Sequence, residues 1–154
     1  MRRLVTGLCM VALAGCGGDD GGGGGDAPSE AQFRADGKRI CDTGADRVRR
    51  VTEAELAKVE VARLEPAKRQ VQLLKASRKE VEKTMSEIEA LDAPEAAQPH
   101  VERLTSGVRE VMDILTSGKQ IGSSEVTRLT ELTGQTRRAA EAAGLQACLP
   151  ENAG

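Results

Sequence analysis

The sequence is nearly devoid of aromatic rings, with one Phe and neither Trp nor Tyr in 154 residues. Stacking on bases or sugars, which needs aromatic platforms, is therefore excluded as its working principle. It also lacks an excess of positive charge, since 22 Lys and Arg face 24 Asp and Glu, and no field exists to gather nucleic acid. Histidine occurs once, at His100. A catalytic triad, a zinc site or a haem site would ask for partners that so few His and Cys do not supply. A di-iron bundle needs two Glu-x-x-His motifs, whereas the residue three before His100 is Ala97. His100 is thus expected to be an ordinary surface side chain. No apolar run approaches the ~20 residues of a spanning helix, and no period-two segment reads as a strand. Ser117-Gly118-Lys119 is too short for a phosphate loop and follows no strand. The expectation is one non-enzymatic domain, with no metal and no cofactor.

What is present is concentrated at particular places. Residues 1–16 carry Arg2 and Arg3, an apolar stretch from Leu4 to Ala14, and then small residues, the layout of a secretory signal. Leu13-Ala14-Gly15-Cys16 matches the lipobox of bacterial lipoproteins. That resemblance implies cleavage before Cys16 and a lipid on its thiol, and hence a protein anchored at the extracytoplasmic face of the bacterial cell membrane. Two or three acyl chains anchor stably where one does not. From Gly17 to Asp26 the chain reads GGDDGGGGGD, holding seven of the 17 glycines. Such a run builds no core and serves as a tether with a reach on the order of 20 Å. Its aspartates lack the alternating ligands and closing Glu of a calcium loop. The expected domains are a cleaved signal peptide at 1–15, a lipid-anchored tether at 16–28 and a helical domain at 29–154.

Beyond Pro28 the apolar residues fall in helical rhythm. Ser29 and Gln32 form a capping box, and Phe33, Ile40, Cys41, Ala45, Val48, Thr52, Leu56 and Val59 trace one face that can continue to Leu64 before Glu65-Pro66 turns the chain. A competing reading ends this helix near Val51 and restarts it at a Thr52–Glu55 capping box, which leaves an extra short helix. A second stripe, over 66–91, carries Val71, Leu74, Val81, Met85 and Ile88. The third, over 94–117, carries Val101, Leu104, Val108, Val111 and Leu115. The fourth, over 123–143, has Ser123 as its N-cap, then Val126, Leu129, Thr133, Thr136, Ala140 and Ala143, and stops at a left-handed Gly144. Four rods of ~35 Å joined by short links predict an all-α, up-down-up-down four-helix bundle. Dense charge on the other faces, Arg47, Lys68, Arg69 and Glu80 included, reads as solvated surface. Gly107 and Gly134 stand inside helices, at a cost of about 1 kcal/mol each relative to Ala, and allow either close helix approach or a shallow groove.

Of the four cysteines, Cys9 leaves with the signal peptide and Cys16 takes the lipid. Cys41 and Cys148 remain, an even pair in an oxidising compartment, and so a disulfide. The bundle topology returns the end of the fourth helix beside the start of the first, which brings the two together. A redox pair would want a Cys-x-x-Cys spacing, which is missing.

Taken together, the lipobox, the low-complexity tether, Phe33 with Ile40-Cys41, Leu91 with Ala93-Pro94, and Gly144-Leu145 with Cys148 give a chain that resembles small actinobacterial lipoproteins of unknown function. The resemblance implies a disulfide-closed helical bundle on the cell envelope and carries over no catalytic residue. Two functions are then expected. One is a non-enzymatic envelope module that binds or positions a protein partner through a charged helical face. The alternative is a carrier or sensor of a small apolar or lipidic ligand held between helices, where the Ala- and Thr-lined fourth helix leaves room. A cavity of several hundred Å³ beside that helix favours the carrier; a filled interior with an exposed apolar strip favours the partner module.

Overall fold

A computed structural model describes residues 29–118 and 121–149. The signal peptide, the lipobox residues Leu13, Ala14 and Gly15, the lipidation site Cys16 and the tether lie outside the described residues. The described chain is all-helical, with five helices packed together: α1 Glu30–Leu56, α2 Val59–Ala62, α3 Pro66–Glu89, α4 Gln98–Thr116 and α5 Ser123–Ala143, followed by a 3₁₀ turn at Gln146–Cys148.

The ends of these helices follow from local chemistry. Ser29 caps α1, its hydroxyl accepting from the Gln32 amide at 3.2 Å. The Gln32 side chain reaches forward to Asp36 instead of back to Ser29, so only half of the expected box forms. The early break and extra short helix of the competing reading are present, as α2, but its boundaries are not. Thr52 does not cap a new helix, because its hydroxyl bonds back to the Val48 and Arg49 carbonyls inside α1. The helix also does not run on to Leu64, since it stops after Leu56 and the extended Lys58 opens the single turn α2. Buried Glu55 fixes this break by accepting from Lys58 at 2.6 Å and from Gln72 of α3 at 3.0 Å. The turn rotates the apolar face: Val59, on the expected stripe, is 59% exposed, whereas Val61 is 3% exposed.

Pro66 occupies the first turn of α3, as the Glu65-Pro66 boundary requires. The next helix starts at Gln98 and not at Pro94, because residues 94–97 form a separate turn closed by the Ala97 amide on the Pro94 carbonyl at 2.7 Å. At α5 the N-cap is Gly122, one residue before the expected Ser123, with its amide donating to the Glu125 carboxylate at 3.1 Å. Gly144 is left-handed at φ 72°, and the following Leu145 amide closes onto the Ala140 carbonyl at 2.8 Å. That closure carries Leu145 into the core, where it is 1% exposed.

Neighbouring long helices alternate in direction, as their cross-links show. Arg47 of α1 meets Glu87 of α3 at 2.8 Å, while Glu55 meets Gln72. Arg78 of α3 reaches Asp113 and Thr116 of α4, and Arg128 of α5 pairs with Glu110 of α4. Packing therefore runs α1 to α3 to α4 to α5, and α1 and α5 barely touch each other. They are joined at one end only, where the 3₁₀ turn lies on α1 and Cys41 is bonded to Cys148 with Cα atoms 4.8 Å apart. This base is solidly filled: Phe33, Ile88, Leu104 and Leu145 are fully buried among Ala139, Ala140 and Ala143.

Close approach of the helices depends on glycine. A Cβ at Gly37 would collide with Leu145, at Gly44 with Thr84, and at Gly107 with Thr136. Gly107 is thus a close-approach position. Gly134 faces open space apart from the Arg138 guanidinium at 3.7 Å. One expected surface charge proves internal, since the Arg47 side chain is only 15% exposed between two carboxylates of α3.

Candidate ligand cavity

Above the filled base the interior is hollow. A cavity of about 500 Å³ lies between α1, α3, α4 and α5, with Cys41, Cys148, Met85 and Thr136 towards its floor. Its walls are the apolar residues that the helical rhythm assigned to a core. Val48, Leu74, Val81, Val108, Val111 and Leu115 line it and are only half-buried, because each turns part of its surface to open volume, although Val108 also packs against the filled base. The four exposed lining residues are Ala45 of α1, Thr133 and Arg137 of α5, and Ala147 of the 3₁₀ turn. They mark the mouth as the edge where α1 and α5 fail to meet.

The few hydroxyls on the wall do not make it polar. Ser77 donates to the Leu74 carbonyl at 3.1 Å, Thr84 to Glu80 at 2.8 Å and Thr136 to Leu132 at 2.8 Å. Each donor is spent on its own helix, and what the surface offers a guest is almost wholly hydrocarbon. Thr84 additionally accepts from Arg47 at 3.0 Å. The Arg47 Nε stands 3.3 Å from Glu80, an ionic contact without hydrogen-bond alignment. This cluster holds α1 against α3 directly beside the cavity.

Similar polar ties hold the helices elsewhere, outside the cavity lining. Arg109 embraces the Glu89 carboxylate with both arms; that pairing, aided by Thr105, holds the Glu89 carboxyl below its ordinary pKa. At the far end the Lys58 ammonium, followed by Gln72, does the same for Glu55. A second, more open depression of about 490 Å³ lies between α1 and α3 and shares Val48, Leu74 and Ser77 with the cavity. Arg69 borders it, giving one donor to the Leu64 carbonyl at 3.2 Å.

Of the residues singled out by sequence, Cys41 and Cys148 come together, and they belong to the cavity floor as well as to the fold. His100 sits half-buried in the first turn of α4. Among the described residues no group of three His, Cys, Asp or Glu is placed to hold a metal, and no helix is long and apolar enough to cross a membrane. Sequence reasoning passed over Arg137, although a signal existed: it follows Thr133 by four residues and precedes Ala140 by three, which places it on the inner stripe of α5. No family model matches this chain, and no curated protein or solved structure is detectably similar to it.

Proposed function

We propose that this protein is an envelope-anchored binder of a small apolar ligand, acting as a carrier or sensor. In this reading the four long helices form a four-helix bundle with one open edge, held outside the cell membrane by the lipid on Cys16. The observation that carries it is the cavity of about 500 Å³ opening between α1 and α5, a size and apolar character typical of small-molecule sites. A bundle that needed only to present an outer face would gain stability by filling that space. The protein-partner reading keeps one specific observation in its favour. Leu56, Val59, Ile121 and Val126 are large apolar side chains that stay exposed, all at the end of the bundle remote from the disulfide.

The test is to fill the cavity. The purified full chain is titrated with an environment-sensitive apolar dye, and its organic extract is analysed by mass spectrometry. Val81→Phe and Val111→Phe put bulk into open volume and should leave the helical circular dichroism unchanged while weakening dye binding about tenfold or more, the effect of losing roughly 1.4 kcal/mol. Wild-type protein that neither takes up the dye nor yields an apolar compound would overturn the carrier reading in favour of the partner module.

A further inference from the structure

We infer that the ligand is a single-headed anionic amphiphile, its hydrocarbon body inside the cavity and its acid group at Arg137; this rests on the binding role proposed above. Among the described residues lining the cavity, Arg137 is the one that carries a charge. It is also one of the four exposed residues that define the mouth. A ligand entering tail first between α1 and α5 would therefore leave its head beside a guanidinium. Arg137 has other contacts within the chain, but five N–H donors in a planar fork suit it to carboxylate or phosphate oxygens in addition. Thr133, one helical turn earlier, adds a hydroxyl at the same rim. The wall below offers no such partner, since Ser77, Thr84 and Thr136 spend their donors on their own helices. Polarity is thus restricted to one end of the cavity, and the ligand it fits is polar at one end only.

The alternative cation is Arg69, in the neighbouring depression across Val48 and Leu74. Its side chain is drawn back onto the Leu64 carbonyl, and it does not line the main cavity, which favours Arg137.

The experiment uses the full chain and probes of equal chain length: palmitic acid, palmityl phosphate, palmityl alcohol and palmitylamine, each competing with the apolar dye. Wild-type protein should bind the two acids about two- to fivefold more tightly than the alcohol, the range for a solvent-exposed ion pair, and should bind the amine least. The margin should shrink as salt is raised. Arg137→Gln should abolish the preference by lowering affinity for the two acids to that for the alcohol, Arg137→Lys should retain most of it, and Arg69→Gln should leave it intact. Equal binding of acid and alcohol by the wild type, or a preference that survives Arg137→Gln or vanishes with Arg69→Gln, would overturn the assignment of the head group while sparing the cavity. Failure of every probe, the alcohol included, would remove the binding role itself.

Discussion

The base and the middle of this bundle are built from the same helices but solve different problems. At the base, Phe33, Ile88, Leu104 and Leu145 pack with small residues of α5 until, among the described residues, no large apolar side chain is left exposed there. One bridge and a 3₁₀ turn then close α1 onto α5. In the middle the same α1 and α5 stand apart, and a row of Val and Leu side chains lines space. The amino acids on the two stretches are equally apolar, so hydrophobicity alone does not separate them. What differs is closure. A disulfide at the base permits an open edge above it, because the covalent link supplies what the absent α1–α5 contacts would otherwise contribute.

Reducing the disulfide should break this contrast most severely. The bridge spans 107 residues of sequence, and constraining such a loop stabilises by up to ~4.7 kcal/mol in the chain-entropy model. That is a large share of the 5–15 kcal/mol typical of a whole domain. Reduction, or Cys41→Ser with Cys148→Ser, should lower Tm by on the order of 10 °C and should speed release of the bound dye, since the cavity loses part of its floor. A thermal melt that is unchanged by reduction would show that the base closes without the bridge.

The next largest effect is a paired truncation. Leu104 is 0% exposed at the base, so Leu104→Ala should leave a new void and cost about 2–5 kcal/mol in urea denaturation. Leu74 already borders the cavity, and Leu74→Ala only widens an existing space; its expected cost is below about 1.5 kcal/mol, from the transfer of a half-buried side chain alone. Equal losses at the two positions would mean that the middle is packed like the base and that the distinction is wrong.

This contrast also explains what could and could not be read from the chain. Helical periodicity identified α3 and α5 closely, because Pro66 and Gly144 act through backbone geometry that needs no tertiary partner. The break after Leu56 was not legible, since it depends on buried Glu55 bonding to Gln72, a residue 17 positions away on another helix. Arg47 was misread for the same reason: its partners Glu80 and Glu87 become visible only once α1 lies on α3. The disulfide could be inferred from cysteine arithmetic and topology together. The hollow could only be suspected from the Ala and Thr of the last helix, because a half-buried Val facing a cavity and a Val in a packed core have the same periodicity.

The smallest expected effect compares the two ends of the bundle through acid. Glu89 near the base and Glu55 at the far end both have carboxyls held below their ordinary pKa, the first mainly by Arg109 and the second mainly by Lys58. A depressed carboxyl contributes stability that is fully present above its unfolded pKa, about 4.3 for Glu, and is lost as pH falls through the lower folded value. The raised Lys58 and Arg109 partners stay protonated throughout that range and add no slope of their own. Tm should therefore hold level from neutral pH down to about 5 and decline below about 4. Glu89 is more than a third exposed, so solvent screening limits its share to less than about 1 kcal/mol. Glu89→Gln and Glu55→Gln should each make the acid limb shallower, and Glu89→Gln should leave dye binding untouched. If instead either variant steepens the decline, the carboxylates oppose folding, and neither end of the bundle owes its closure to these ion pairs.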